Sequence, residues 1–127
     1  MTGRTTSELV RALKSLAFLL AGLVSAVLLF VGSVSYLYAR SEAEITRIVS
    51  EIPPGTSLST VLARLGKPAQ VCRDEPSVRG MSFGKNPDLY SNSDLYMFPH
   101  RAIPYRWILI YTDKGSSKVK HADWANM

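Results

Sequence analysis

Cysteine and histidine are scarce in this 127-residue chain, with one Cys and two His, and charge is absent from Leu16 to Tyr38. Each scarcity excludes something. A lone Cys72 forms no internal disulfide and builds no Cys-rich metal site. It reads as a small buried hydrophobe, or as half of a bridge to a partner outside the cytoplasm. His100 and His121 supply no ligand pair at close helical spacing. Nothing in the spacing joins either of them to a nucleophile and an orienting acid. The chain is therefore read as a non-enzyme, with no catalytic, cofactor-binding or metal-ligating residue and no cofactor. A long basic run is missing too. The formal charge of +5 owes three of its cations to Arg4, Arg11 and Lys14, and the remainder mixes both signs, so no nucleic-acid module is expected.

What is present begins with "LAFLLAGLVSAVLLFVGSVSYLY", residues 16–38. A bilayer core of about 30 Å needs roughly 20 apolar helical residues, so this run is long enough to cross one. A cleavable signal peptide has a shorter apolar core and a small-residue cleavage site, and "YLYARSE" supplies no such site. Arg4, Arg11 and Lys14 lie before the run, and lysine and arginine favour the cytoplasmic side. Residues 1–15 are thus expected to form a cytoplasmic tail, 16–38 a transmembrane signal-anchor helix, and 41–127 a domain outside the cytoplasm. Small residues recur at four-residue spacing, Ala17, Ala21 and Ser25 with Gly22 and Ala26 beside them. They mark a helix-packing face for a second copy of the chain or another membrane protein.

Beyond the membrane run, Ser41-Glu42-Ala43-Glu44 fits a capping box. Ile45, Ile48, Val49 and Ile52 then form one apolar helical face, ended by Pro53-Pro54. No glycine or proline separates Tyr38 from Ser41, so these residues equally permit the spanning helix to continue to Ile52. In "GTSLSTVLARLGKP", residues 55–68, the spacing of Gly55 and Gly66 is too wide for a phosphate-binding P-loop, and Pro68 replaces its hydroxyl residue. The same stretch reads as a short helix. Thr56 or Ser57 caps it, Leu58, Val61, Leu62 and Leu65 form its apolar stripe, and Gly66 and Pro68 stop it.

Strands are expected at Asp94–His100, at Tyr105–Thr112 behind Pro104, and at Lys118–Trp124, with a "DKGSS" turn between the last two. Ala69–Cys72 is a weak strand candidate. Residues 73–93, with two glycines and two prolines, read as a long loop. The fold class is α+β, an N-terminal transmembrane helix followed by two short helices packed on a small antiparallel sheet.

Gly55, Thr56, Val61, Leu65, Gly66 and Pro68, followed by Tyr111, Asp113, Gly115 and Val119, resemble the signature of the SmpA/OmlA (BamE-like) small domain family. The resemblance covers residues 42–124. It implies two helices on a three-stranded antiparallel sheet and a domain that binds other proteins in the bacterial cell envelope. Family members carry a lipidated cysteine after a short signal sequence. Here a spanning helix stands in its place, which implies the inner membrane with the domain in the periplasm.

The second half of the domain is aromatic. In "RWILIY", residues 106–111, both sheet faces are apolar, and helices on one side leave the other to be covered by the long loop or by a partner. Met81, Phe83, Tyr90, Tyr96, Trp107 and Trp124 are the candidate partner surface, since Trp and Tyr anchor interfaces. The expected function is a single-pass, membrane-anchored protein-binding accessory or scaffold domain, its partner a membrane protein or an envelope complex subunit. The alternative is an extracytoplasmic small-ligand or lipid-sensing domain. A flat, uncovered aromatic sheet face favours the first; a concave pocket with a few polar groups favours the second.

Overall fold

Residues 2–103 and 105–126 are described by the computed structural model, and Pro104 lies outside them. The chain divides into two units, Met1–Arg40 and Ser41–Met127. The first helix, α1, runs unbroken from Thr2 to Ser50. A capping box requires its first residue to leave helical geometry, and nothing between Tyr38 and Ser50 forces that. Ser41 consequently lies inside the helix and starts no new one. Within α1, the stretch around residues 16–38 is long and apolar enough to cross a membrane. Its large side chains, among them Phe18, Leu19, Leu29 and Phe30, stand free of protein contact, as a lipid-facing surface requires.

After Pro53-Pro54 the chain turns at Gly55, whose φ of +94° suits glycine. Helix α2, Leu58–Leu65, is capped by Ser57, which accepts from the Thr60 amide at 3.3 Å. It is closed by Gly66 at φ +83°, whose N–H donates to Leu62 at 2.8 Å. Thr56 does not cap; its hydroxyl donates to the Pro53 carbonyl. The predicted stripes bury Ile45, Ile52 and Val61, with Ile48, Val49, Leu58 and Leu65 packed beside them. Leu62 departs from its stripe and is one-third exposed.

The sheet has four antiparallel strands rather than three, in the order β1 (Gln70–Cys72), β2 (Ser93–Pro99), β3 (Arg106–Asp113), β4 (Val119–Asn126). The added strand is short, and its register on β2 pairs Gln70 with Met97 and Cys72 with Leu95. Three residues carry little local preference. Their conformation comes from the neighbouring strand, which is why local propensity understates them. Between β3 and β4 the register shifts after Tyr111–His121, and Gly115 turns at φ +74°.

Strand alternation divides the apolar residues between two clusters. One face carries Tyr96, Phe98, Ile108 and Ile110 against α1 and α2. The other carries Leu95, Met97, Leu109 and Tyr111. That second face is covered from within the chain. Residues 73–93 are not a structureless loop: they hold helix α3 (Glu75–Met81) and a 3-10 turn, Pro87–Leu89. Asp74 caps α3, accepting from the Ser77 amide at 3.2 Å and from the Ser77 hydroxyl at 2.8 Å. These bonds hold the Asp74 carboxyl below the ordinary carboxylate range. Pro76 belongs to the first turn of α3, where its missing N–H costs nothing, so it starts this helix instead of breaking one. Val78 is fully buried under α3, and Met81, Phe83, Leu89 and Tyr90 pack around it.

Candidate functional site

The aromatic residues expected to meet a partner are committed to packing. Tyr96 is buried in the first cluster, and Trp124 packs at that cluster's margin. Met81, Phe83, Tyr90 and Trp107 pack on the second cluster. Trp124 is flanked by two cations, the Arg106 guanidinium at 5.4 Å and the Lys85 ammonium at 4.9 Å from its ring. Lys85 also donates to the Trp124 carbonyl and pairs with Asp123 at 3.6 Å. These residues therefore form no contiguous exposed aromatic face. The fold signature residues are structural as well: Gly55 and Gly66 supply positive φ, while Val61 and Leu65 join the core.

In the long apolar stretch of α1, Ala17, Ala21, Gly22, Ser25 and Ala26 all lie exposed. A shallow apolar hollow of ≈ 230 Å³ is lined there by Lys14, Ala17, Phe18 and Ala21.

The concavity of the 41–127 domain lies elsewhere. It is a groove of ≈ 400 Å³ between the last turns of α1, the end of α2 and the β2–β3 end of the sheet. That volume is within the range of small-molecule sites. Its apolar walls are Ile48, Leu65, Phe98 and Ile108, and its polar groups are Glu44, Arg47, Arg64, Lys67, His100 and Arg101. Each is placed by a feature already described. Glu44, Arg47 and Ile48 lie within one turn of α1. Arg64 and Leu65 close α2, and the Gly66-Lys67-Pro68 stop delivers Lys67 to the rim. The edge of β2 brings in Phe98 through Arg101.

Two of the four cations are shared with an acid. Glu51 pairs with Arg64 and lies 4.0 Å from Arg47. Lys67 and Arg101 are exposed and pair with no described residue, so their charge is available to a ligand. Long-stemmed rim cations of this kind are held in water until a counter-charge arrives.

His100, directly after the end of β2, is only 8 % exposed. Its Nδ1 accepts from the backbone amides of Ala102 and Ile103, at 3.2 and 3.1 Å. Backbone N–H groups only donate, so Nδ1 is the acceptor here and the hydrogen of the ring lies on Nε2. The His100 amide donates to the Arg106 carbonyl at 2.8 Å, and this closes the β2–β3 connection around the imidazole. His100 is among the residues that line the groove. Sequence alone offered one clue to this role, the polar turn that must join two apolar strands.

Cys72 and His100 belong to opposite sides of the sheet, the thiol in the second cluster and the imidazole in the groove. Burial pushes the Cys72 thiol up, and the nearby Asp74 charge adds to that. His121 stands beside the Tyr111 ring, 5.9 Å between centroids. Among the described residues, no three His, Cys, Asp or Glu side chains group closely enough to hold a metal ion. No protein-family model, curated protein or solved structure matches the chain.

Proposed function

We propose that this chain is a single-pass, membrane-anchored binding protein that recognises a small anionic ligand in the groove of its 41–127 domain, without catalysing a reaction. The observation that carries the reading is the convergence of Lys67, Arg101 and His100, whose ring is anchored through Nδ1, on an apolar-walled concavity. Cations without an internal partner, beside a fixed donor, form a site that is completed by an anion. The flanking charges support an orientation with the N-terminus in the cytoplasm and the domain in the periplasm. The signature from Gly55 to Pro68 is in keeping with an SmpA/OmlA-like binding domain, to which α3 adds a cover for the second sheet face.

The test is backbone NMR of the full chain in nanodiscs, titrated with inorganic sulfate. Amide shifts are expected at Arg64–Lys67 and His100–Ala102. Saturable shifts confined to other surfaces would sink the proposal. A protein partner is the second reading, favoured by edge strand β1, where Val71 is 37 % exposed and just one side of the strand is paired. An extended peptide can add to such an edge. In that case a partner's addition moves residues 70–72 and leaves His100–Ala102 unmoved.

A further inference from the structure

We infer that the ligand of this groove is a phosphomonoester carried on an apolar body, an inference that rests on the groove being the binding site proposed above. The charge balance comes first. Arg47, Arg64, Lys67 and Arg101 line the groove with one acid, Glu44, and a second acid, Glu51, pairs with Arg64 and lies 4.0 Å from Arg47. Setting those two carboxylates against the four cations leaves a surplus of two positive charges. A phosphomonoester carries about −1.5 to −2 near pH 7 and offers three acceptor oxygens. A phosphodiester or a carboxylate carries a single negative charge and leaves part of the surplus unmet.

The donors match those oxygens. The planar Arg101 guanidinium suits two oxygens of one phosphate, Lys67 contributes a point charge, and His100 adds a ring donor on an imidazole held by two backbone bonds. The hydrocarbon next to the phosphate is accounted for by Phe98, Ile108 and Leu65, which inorganic phosphate would leave wet. Two sources provide such chemistry, a bilayer lipid with a terminal phosphate and a soluble organic phosphate.

The experiment uses the full chain in phosphatidylcholine nanodiscs, with binding followed by calorimetry. Hexyl phosphate is the probe, and hexyl methyl phosphate, hexanoate and inorganic phosphate are compared with it. Hexyl phosphate is expected to bind about tenfold more tightly than each of the three. Lys67→Gln and Arg101→Gln should each weaken it about fivefold to tenfold, and neither residue pairs with a described residue whose loss would unfold the domain. In discs doped with phosphatidate, a lowered apparent affinity for hexyl phosphate identifies the lipid as the source. An unchanged affinity identifies the soluble one. Diester or carboxylate bound as tightly as hexyl phosphate, with the same dependence on Lys67 and Arg101, overturns the monoester assignment and leaves the groove as the site. Binding indifferent to both variants, or no binding of any probe, overturns the groove as well.

Discussion

Ser82→Ala isolates the contact that keeps the second sheet face closed. The Tyr111 hydroxyl donates to Ser82 Oγ at 2.9 Å, and Ser82 Oγ donates to the Val78 carbonyl at 2.6 Å. Both residues are fully buried. Removing the serine oxygen leaves the Val78 carbonyl with the Ser82 amide, still 3.0 Å away, so the backbone loses little. The tyrosine hydroxyl, however, loses its serine acceptor away from water and keeps only its interaction with Asn86, at a cost of about 1–3 kcal/mol. Tyr111→Phe removes the stranded group, so the double variant should be more stable than Ser82→Ala alone by about 1 kcal/mol or more. Thermal unfolding of the full chain in a mild detergent measures this. The two tryptophans, Trp107 and Trp124, both lie in the 41–127 domain, so intrinsic fluorescence follows that domain alone. For a domain of this size about 2 kcal/mol is roughly 10 °C in Tm. If Ser82→Ala leaves Tm unchanged, or if adding Tyr111→Phe costs still more, α3 does not seal this face and the face is available to a partner.

Gly66→Ala should destabilise the domain by about 1–3 kcal/mol, because φ is +83° there while a Cβ would meet nothing within 4 Å. An unchanged unfolding midpoint would refute the positive-φ stop of α2. Cys72 should resist a maleimide in the native full chain at pH 8 and label fully in denaturant, since it is buried with its thiol pushed up by burial. Rapid native labelling would place it at the surface. The Tyr111 phenol is raised above the ordinary tyrosine value by burial first, so its contribution is whole below about pH 10. At higher pH the unfolded chain loses that proton before the folded one does, and stability falls as pH rises. Tyr111→Phe should make the alkaline decline in Tm shallower, and an identical slope in both proteins would contradict the assignment.

How much of this was legible depends on whether the signal is local. The stripes Ile45–Ile52 and Leu58–Leu65, the Gly66 stop and the strong strand at 106–113 are written in spacing and propensity, and the structure follows them. The strand at Gln70–Cys72 is imposed by its neighbour Tyr96 and Met97 across the ladder, and three residues cannot announce that. Helix α3 was obscured by its own start signal. Pro76 breaks a helix when it lies inside one and favours one in the first turn, and the difference rests on Asp74 as the cap. Phe83 and Asn86 then turn the chain at positive φ, at +53° and +54°, which non-glycine residues seldom adopt.

The same distinction separates the groove, which has no local sequence signal, from the aromatic residues, which have a strong one. Trp and Tyr are conspicuous in sequence, but a thin four-stranded sheet with helices on both faces consumes such side chains as core. Ligand sites are assembled from ends of elements, where each contributor looks ordinary. Lys67 is the residue after a helix stop, Arg101 follows a strand, and His100 sits in the turn between two strands. What joins them is the closure of that turn on His100 Nδ1, which fixes the opposite nitrogen as a donor beside two cations that nothing else in the described domain engages. A packed protein seldom leaves cations and a buried donor facing one apolar-walled hollow without a counter-charge to receive. On the proposed reading, that arrangement moves the binding surface from the aromatic sheet to the groove at its end.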